Sequence, residues 1–157
     1  MLLITTLTFG GAETQMVRLA TELKSAGWDV TVVCMVAPTA YTDPLKKADI
    51  PVFSLDMPRG VPHPRGLLRL ARLIRQLKPD ILHAHMVHAN LLGRVSRLFA
   101  RVPVMISTVH NLRETSEKGG PTWHKELLYR MTDFLADRTT IIAQSAFERY
   151  VRVGAVP

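Results

Sequence analysis

Short apolar runs of strand length alternate with segments of helical period along this chain. The runs that read as strands are MLLITTL, DVTVVCMV, PVFSLD, DILHAH, VPVMISTVH and TTIIAQ. Between and after them lie helical patterns at residues 13–26, 41–50, 66–77, 88–101, 123–137 and 145–154. Strands separated by helices form βαβ units, so the sequence predicts a mainly parallel sheet with helices on both faces. Right-handed crossovers make this a doubly wound, Rossmann-like α/β domain.

Two of the predicted helices carry a recognisable start. Asp43 precedes Pro44, a pair typical of a helix cap followed by the first helical position. Ser145 stands at the start of the last helical pattern and is predicted to cap it. The chain has no internal repeats and no low-complexity segment, so residues 1–157 are expected to form one domain.

The composition is that of a soluble globular protein, with 47% hydrophobic and 21% charged residues. No apolar run approaches the roughly 18 residues of a membrane span. Met1 leads directly into a strand pattern, which argues against a signal peptide. The single cysteine, Cys34, lies in an apolar run and has no partner for an internal disulfide. These features predict a cytoplasmic protein.

The formal net charge of +7 favours anionic partners, such as nucleic acid, acidic lipid or phosphorylated small molecules. A solvated surface without a partner is the alternative. Basic residues are densest in RGLLRLARLIRQLK, residues 65–78, which reads as an amphipathic helix with a uniformly basic polar face. Its place between two strands predicts that the apolar face packs on the sheet, which leaves loose association with an anionic membrane surface open. No aromatic stacking platform accompanies the charge, so we expect no nucleic-acid partner.

Ligands of such sheets bind beyond the carboxyl ends of the strands, and the first strand ends in TFGGAE. Gly10 and Gly11 stand where strand gives way to helix, and amides at a helix start attract anions. By themselves the glycines leave two alternatives open, a tight turn or a phosphate contact. The dinucleotide fingerprint is incomplete, because a third glycine and the ribose-binding acid are both missing. No glycine precedes Lys-Ser or Lys-Thr, which excludes a P-loop.

Histidines gather at two later strand ends. His83 and His85 are two residues apart and so share one face of the fourth strand. His88 follows in the turn, and His110 and Asn111 end the fifth strand. We interpret His83 as a core histidine hydrogen-bonded to backbone, whereas His85 is closer to the ligand-binding edge. Imidazoles bind zinc readily, but no cysteine or carboxylate completes a ligand set, so we expect no metal site.

His110 could donate to a phosphate or a sugar hydroxyl and change its protonation near neutral pH. A histidine that satisfies a loop carbonyl is the alternative. Asn111 could cap the next segment or bind a ligand. The sequence shows no Ser-His-Asp order, no paired carboxylates in a strand-end loop and no nucleophile elbow.

Four motifs in order resemble the N-terminal domain of family 4 glycosyltransferases, which are retaining enzymes of the GT-B fold. The motifs are GGAE, PDILHAH, VMISTVHN and AQSAFERYV. The resemblance extends over essentially the whole chain, and the ordered set is more specific than any one motif. It implies one half of a GT-B fold, in which an acceptor-binding N-terminal domain faces a C-terminal domain that binds the nucleotide-sugar donor.

The resemblance also implies site residues, namely Gly10, Gly11, Glu13, His85, His110 and Asn111. The two glycine amides would approach the donor diphosphate, and His110, as the catalytic residue, would reach the transferred sugar or the phosphate. Glu13 would be structural or would face the acceptor, while His85 and Asn111 would line the substrate site. Catalysis would rest on positioning and on charge stabilisation of the leaving diphosphate, with no cofactor and no required metal.

The family's donor-binding half carries two acids eight residues apart, a motif that this chain lacks. The chain ends at VGAVP, where a linker to that half is expected, so we expect a fragment that does not transfer sugar alone. The leading expectation is the acceptor-side half of a hexosyl-type retaining glycosyltransferase of polysaccharide biosynthesis. Its acceptor would be a glycan or a lipid-linked molecule, and the enzyme would bind peripherally to the inner face of the membrane. The alternatives are a stand-alone Rossmann-type nucleotide or anion-binding module without catalysis and, weakened by the incomplete fingerprint, an oxidoreductase.

Overall fold

The computed structural model describes residues 1–59, 63–110, 123–152 and 154. Its strands are β1 Leu2–Ile4, β2 Val32–Cys34, β3 Val52–Ser54, β4 Ile81–His85, β5 Val104–Val109 and β6 Arg138–Ile141. They form one six-stranded sheet in the order β3-β2-β1-β4-β5-β6, and every pair is parallel. The helices are α1 Gly11–Ser25, α2 Thr42–Lys47, α3 Pro64–Leu77, α4 Val87–Ser96, α5 Trp123–Thr132 and α6 Gln144–Arg152. The predicted doubly wound, Rossmann-like α/β fold is confirmed.

The order of strands places a crevice beside β1. The chain first adds β2 and β3 on one side of β1, and then crosses over to add β4, β5 and β6 on the other. Ile4, the last residue of β1, lies opposite His85, the last residue of β4. In a doubly wound sheet the carboxyl ends of the strands at this reversal form the usual ligand-binding crevice. The loops that follow β1, β4 and β5 therefore hold the residues to examine for function.

The two larger of three hydrophobic clusters among the described residues lie on opposite faces of the sheet, because alternate strand residues point to opposite sides. One core joins Leu3 and Leu82 of the strands to Leu70 and Ile74 of α3. The other joins residues of β1 and β2 to α1 and α2, and includes Leu2, Ile4, Met16, Val17, Val32, Cys34 and Leu45. The predicted packing of the basic helix on the sheet is thus confirmed. Among the described residues, no helix is long and apolar enough to cross a membrane.

A fully buried arginine ties α4 to the last two strands and α5. The Arg94 guanidinium donates to the hydroxyls of Ser107 and Thr139, at 3.1 and 2.8 Å, and to the carbonyl of Tyr129 at 3.0 Å. It also lies 4.6 Å from the centre of the Tyr129 ring and 3.5 Å from the Asp133 carboxylate. Burial lowers the pKa of Arg94, and the hydrogen bonds and Asp133 compensate the buried charge. Arg94 therefore has a structural role on the face opposite α1.

Both predicted helix caps were wrong. Helix α2 begins at Thr42 after Tyr41, whose φ of 61° is left-handed, so Asp43 lies inside the first turn. The Tyr41 hydroxyl is 2.7 Å from the Thr14 hydroxyl on α1, and its ring packs edge-on against Phe9. These tertiary contacts accompany a helix start two residues earlier than the local sequence indicates. Helix α6 begins at Gln144, so Ser145 likewise lies within the helix.

Candidate functional site at the carboxyl edge of β1, β4 and β5

The glycine pair opens α1 directly beyond β1. Gly10 is the N-cap, with extended backbone, and Gly11 is the first helical residue. Among the described residues no side chain caps this end, although the Gly10 carbonyl accepts from the Thr14 amide and hydroxyl at 2.9 and 2.8 Å. A helix start without a side-chain cap offers its first amides to a ligand. A Cβ on Gly11 would meet nothing within 4 Å, so the backbone here is open to close approach.

Glu13 fills the space beside Gly10. Its side chain is buried, at 6% exposure, and its Oε1 accepts hydrogen bonds from the hydroxyls of Thr6 and Thr8 at 3.2 and 3.0 Å. A Cβ on Gly10 would collide with Oε2 of the same carboxylate. The lack of a side chain therefore has a different consequence at each glycine. Gly10 makes room for Glu13, whereas Gly11 leaves its space empty.

The histidines of β4 and β5 form a stack of three rings. His83 and His85 share a face, as predicted, with ring centres 4.2 Å apart, and His110 follows at 5.3 Å from His85. Nδ1 of His85 lies 3.0 Å from Nε2 of His110. Nε2 of His83 lies 2.7 Å from the Thr108 hydroxyl, so its partner is a side chain and not the backbone group that we expected. Because His85 pairs in register with Thr108, these groups gather at one strand edge.

Burial favours the neutral form of all three imidazoles. Desolvation lowers the pKa of His83 to about 4 and that of His85 to about 3, with smaller contributions from neighbouring positive groups. The pKa of His110 is also lowered by burial, but the Glu13 carboxylate opposes that shift. Glu13 on α1 is therefore electrostatically coupled to His110, which follows β5. The glycine turn, the carboxylate and the histidine stack belong to one site.

Three polar side-chain atoms at this edge are buried and have no hydrogen-bond partner among the residues that the structure describes. They are Oγ1 of Thr5, Nε2 of His85 and Nδ1 of His110. Such atoms are costly in a folded protein, and a bound ligand is one way to satisfy them. Neutral imidazoles, a hydroxyl and a carboxylate can together bind the hydroxyl groups of a sugar, and open helix amides can bind a phosphate.

The structure thus brings together five of the predicted site residues, namely Gly10, Gly11, Glu13, His85 and His110. Asn111 lies outside the described residues, and His88 is exposed on α4. In the part of the chain that the structure describes, no group of three or more His, Cys, Asp or Glu side chains is arranged to hold a metal ion. An open pocket lined by residues 97–103 lies at the opposite edge of the sheet, before β5, and takes no part in this site.

Sequence reasoning missed the threonines. Thr6 and Thr8 hold Glu13, and Thr108 links His83 to Thr140 through hydroxyl contacts of 2.7 Å on each side. Threonine is common in strands, so its presence at a strand end carries little signal. The alternation that puts Thr108 and His110 on the same face was available from the sequence, and it could have marked Thr108 as a neighbour of the histidines.

Comparison with known proteins gives this site its context. The sequence model described as the glycosyl transferase 4-like domain matches residues 10–151. The chain belongs to the glycosyl transferase 4-like domain family. The match begins at Gly10 and spans the histidine stack, so every residue of the candidate site except the loop before Gly10 lies within it. The resemblance inferred from the four motifs is confirmed.

A curated relative of this glycosyl transferase 4-like domain is a galactosyltransferase of Escherichia coli. That enzyme is the UDP-Gal:alpha-D-GlcNAc-diphosphoundecaprenol alpha-1,3-galactosyltransferase. It is 30% identical over 76 residues, which make up 48% of this chain and 19% of that enzyme. The aligned part is therefore a minor fraction of the relative.

Solved structures share the fold. Anabaena Alr3699/HepE in complex with UDP matches with a TM-score of 0.66 and 18% identity, over 98% of this chain and 40% of that one. A Listeria monocytogenes protein assigned as a UDP-N-acetylglucosamine 2-epimerase matches with a TM-score of 0.61 and 20% identity, over 98% and 41% of the two chains. The glycosyl transferase 4-like domain is thus one Rossmann-like half of a GT-B fold. A fold shared with an epimerase does not by itself specify the reaction.

Proposed function

We propose that this domain is the acceptor-side half of a retaining glycosyltransferase that uses a nucleotide-sugar donor. The observation that carries the proposal is the convergence of the open Gly11 turn, Glu13 and the His85–His110 pair at one strand edge in a domain of this family. The Gly11 amide would approach the donor diphosphate, and His110 would contact the transferred sugar or the phosphate as the catalytic residue. Asn111 remains a proposed substrate contact. The nucleotide-sugar is a substrate, and we propose no resident cofactor and no metal.

A uridine nucleotide and a hexose are the donor that we propose first. The Escherichia coli relative is named for UDP-Gal, and Alr3699/HepE was crystallised with UDP and with UDP-glucose. The acceptor named for the relative is a sugar on diphosphoundecaprenol, so we propose a glycan or lipid-linked acceptor for this domain. A second Rossmann-like domain would supply the rest of the donor site, so this chain alone is expected to bind donor weakly and to transfer little sugar.

A transfer assay on the protein with both domains tests the reaction. Purified protein is supplied with UDP-galactose, UDP-glucose or UDP-N-acetylglucosamine and a diphosphoundecaprenol-linked sugar, and the anomeric configuration of the product is read by NMR. Retention is expected. His110→Ala should lower the turnover by about a hundredfold or more. His63→Asn is the control for loss of an imidazole, because His63 is not one of the proposed site residues and asparagine is also a good cap for α3.

The alternative is a nucleotide or anion-binding module without catalysis. It predicts that this chain alone binds a nucleotide-sugar at low micromolar concentration, and that the protein with both domains transfers none. Normal turnover in the His110→Ala enzyme would remove the proposed catalytic role while leaving the family assignment in place. Titration of the isolated domain with UDP-glucose, followed by 1H–15N NMR, distinguishes weak from tight binding directly.

We also propose an anionic membrane surface as a partner, with the protein on the cytoplasmic face of the inner membrane. The outer face of α3 carries Arg65, Arg69, Arg72 and Arg75, all exposed, and the helix has no acidic residue. Leu68 is 58% exposed among these arginines. A basic face with an exposed leucine suits acidic headgroups, and each basic residue near such a surface contributes about 1 kcal/mol.

Vesicle sedimentation tests the membrane proposal. Vesicles with phosphatidylglycerol should bind the protein, and phosphatidylcholine vesicles should not. Arg72→Glu should reduce binding about tenfold or more, since it changes the charge by two units. Lys47→Glu on α2 makes the same change in net charge on another exposed surface and should have a smaller effect. Equal losses in the two variants would show that only net charge matters.

A further inference from the structure

His85 and His110 are joined through one nitrogen of each ring, and the second nitrogen of each is buried without a partner in the described part of the chain. The contact is between Nδ1 of His85 and Nε2 of His110, at 3.0 Å. The two remaining atoms are Nε2 of His85 and Nδ1 of His110. His85 is only 3% exposed. Buried polar atoms without partners are costly, so these two atoms point to a ligand that pairs with both rings.

The number of hydrogens on the pair limits what it can bind. A neutral imidazole carries one N–H, so one of the two rings donates the hydrogen bond between them. With both rings neutral, one outward nitrogen is then a donor and the other an acceptor. Burial lowers the pKa of His85 to about 3, so this ring stays neutral near physiological pH. A proton added to the pair therefore resides on His110, whose pKa is lowered by burial and raised by Glu13.

Protonation of His110 fixes the hydrogen positions on both rings. His110 then donates through Nε2 to Nδ1 of His85, and His85 must carry its own hydrogen on Nε2. Both outward nitrogens become donors, and the pair carries one positive charge. The titratable groups that face the pair are Glu13 from α1, the His83 ring beside His85 on β4, and the amino terminus at β1, which acts on His83. The neutral pair suits a hydroxyl group, whereas the protonated pair suits an anion.

We propose that His85 positions His110, and that the pair takes up one proton from solvent when an anionic group of the ligand binds at this strand edge. Identifying the anion as the phosphoryl group of a nucleotide-sugar rests on the proposed function, whereas the coupling between the two rings does not. The affinity for anions should rise as the pH falls, by at most about tenfold per pH unit. The affinity should change with pH only between two values, the pKa of His110 in the anion-bound protein and its lower pKa in the free protein.

Ring 15N NMR on the ligand-free chain tests the pair directly. As the pH is lowered from about 8.5, the shifts of His110 should report protonation, with a pKa below the ordinary value of histidine because of burial. Over the same midpoint, His85 should stay neutral and shift fully to the form with hydrogen on Nε2. Protonation of His85 before His110, or tautomers that titrate independently, would overturn the proposal whether or not any nucleotide binds.

Titration with sulfate, which does not itself change protonation in this range, tests the anion. Wild-type affinity should strengthen as the pH falls, and His85→Leu should weaken that pH dependence over this range, because His110 then lacks the acceptor that stabilises its proton. His85→Gln restores an oxygen that accepts from His110 and should retain most of it, which guards against a leucine variant that fails to fold. His63→Asn, which replaces a histidine that is not part of the pair, should match wild type. Sulfate affinity independent of pH in wild type would overturn the inference.

UDP-glucose separates this inference from the proposed function, since its diphosphate diester also keeps its charge over this range. If sulfate shows the pH dependence and UDP-glucose does not bind even weakly, the donor assignment fails and the coupled anion site stands. If UDP-glucose binds without any pH dependence while sulfate also shows none, the donor assignment stands and the coupled site fails.

Discussion

Replacing each glycine of the α1 start by alanine should have opposite effects on stability. A Cβ on Gly10 would collide with Oε2 of Glu13 and lie 3.1 Å from its Cδ. The carboxylate must then move, and the hydrogen bonds from Thr6 and Thr8 are lost or weakened. A Cβ on Gly11 has no neighbour within 4 Å, and Gly11 already has helical backbone. Only the first variant disturbs a contact within the chain.

The magnitudes follow from these contacts. Hydrogen bonds to a charged group contribute about 1.5–3 kcal/mol each, and the displaced carboxylate regains part of this from water, so Gly10→Ala should cost about 2 kcal/mol. Gly11→Ala should stabilise the fold by about 0.4–1 kcal/mol, because alanine restricts the unfolded chain and fits a helix. The two variants, which differ by one position, should therefore differ by about 3 kcal/mol in the free energy of unfolding.

Urea denaturation followed by circular dichroism measures the stabilities, and NMR titration with UDP-glucose measures donor binding. Gly11→Ala should fold more stably than wild type and yet bind UDP-glucose about tenfold more weakly, because the added methyl group fills the space that the diphosphate would approach. Gly11→Leu should deepen the loss. An unchanged affinity for UDP-glucose in both Gly11 variants would show that the glycine pair serves only as a turn. Equal stability of the Gly10 and Gly11 alanine variants would refute the account of Glu13.

Three further predictions concern stability and reactivity. Arg94→Ala should lower the free energy of unfolding by about 3–5 kcal/mol, because it leaves buried partners unsatisfied; a loss below about 1 kcal/mol in urea denaturation would contradict this. Burial raises the pKa of Cys34 to about 12, so a thiol reagent should label it only on unfolding, and rapid labelling of the native chain would count against the burial. The pKa values of His83 and His85 are lower in the folded chain than in the unfolded chain, so the unfolded chain binds protons at a higher pH. The free energy of unfolding should therefore fall as the pH drops below about 6.5, by up to about 1.4 kcal/mol per pH unit for each ring. His83→Gln should reduce that slope, and an unchanged slope would show that this ring does not titrate differently in the two states.

The sheet could be predicted because its signals are local. Each strand is an apolar run of a few residues, and the period of two by itself places His83 and His85 on one face of a strand. The packing of α3 on the sheet also follows from its apolar face and its place between strands. The four ordered motifs then indicated the family, which the match over residues 10–151 confirms.

The contacts that shape the site are not local, and this is why they were missed. The hydrogen bond of Arg94 with Thr139 joins residues 45 positions apart, and that of His83 with Thr108 joins residues 25 positions apart. Neither pair has a spacing that a local pattern detects. The cap prediction at Asp43 failed for the same reason, because Tyr41 takes a left-handed conformation while its hydroxyl contacts α1. The local preference for Asp43 as a helix cap was therefore overridden by a tertiary contact.

Glu13 raises a chemical question about the proposed site, because a buried carboxylate stands beside the turn that a diphosphate would approach. Two like charges in a poorly solvated site repel each other, so binding requires a compensating charge. A proton on His110 supplies one, and Glu13 itself favours that proton by raising the pKa of His110. Glu13 and the histidine pair would then act together. The carboxylate would favour the proton on His110, and the protonated pair would donate hydrogen bonds to the anion.

Glu13→Gln tests this linkage, since glutamine can still accept from Thr6 and Thr8 while the charge is removed. The pKa of His110 should fall further, because the opposing effect of the carboxylate is lost. Sulfate affinity should therefore improve at about pH 8, where repulsion by Glu13 is the main effect, and fall behind wild type at lower pH, where protonated His110 matters more. Glu22→Gln, exposed on the same helix, removes the same charge outside the site and should change neither. A Glu13→Gln affinity shifted by the same factor at every pH would show that the carboxylate acts only as a fixed charge, uncoupled from His110.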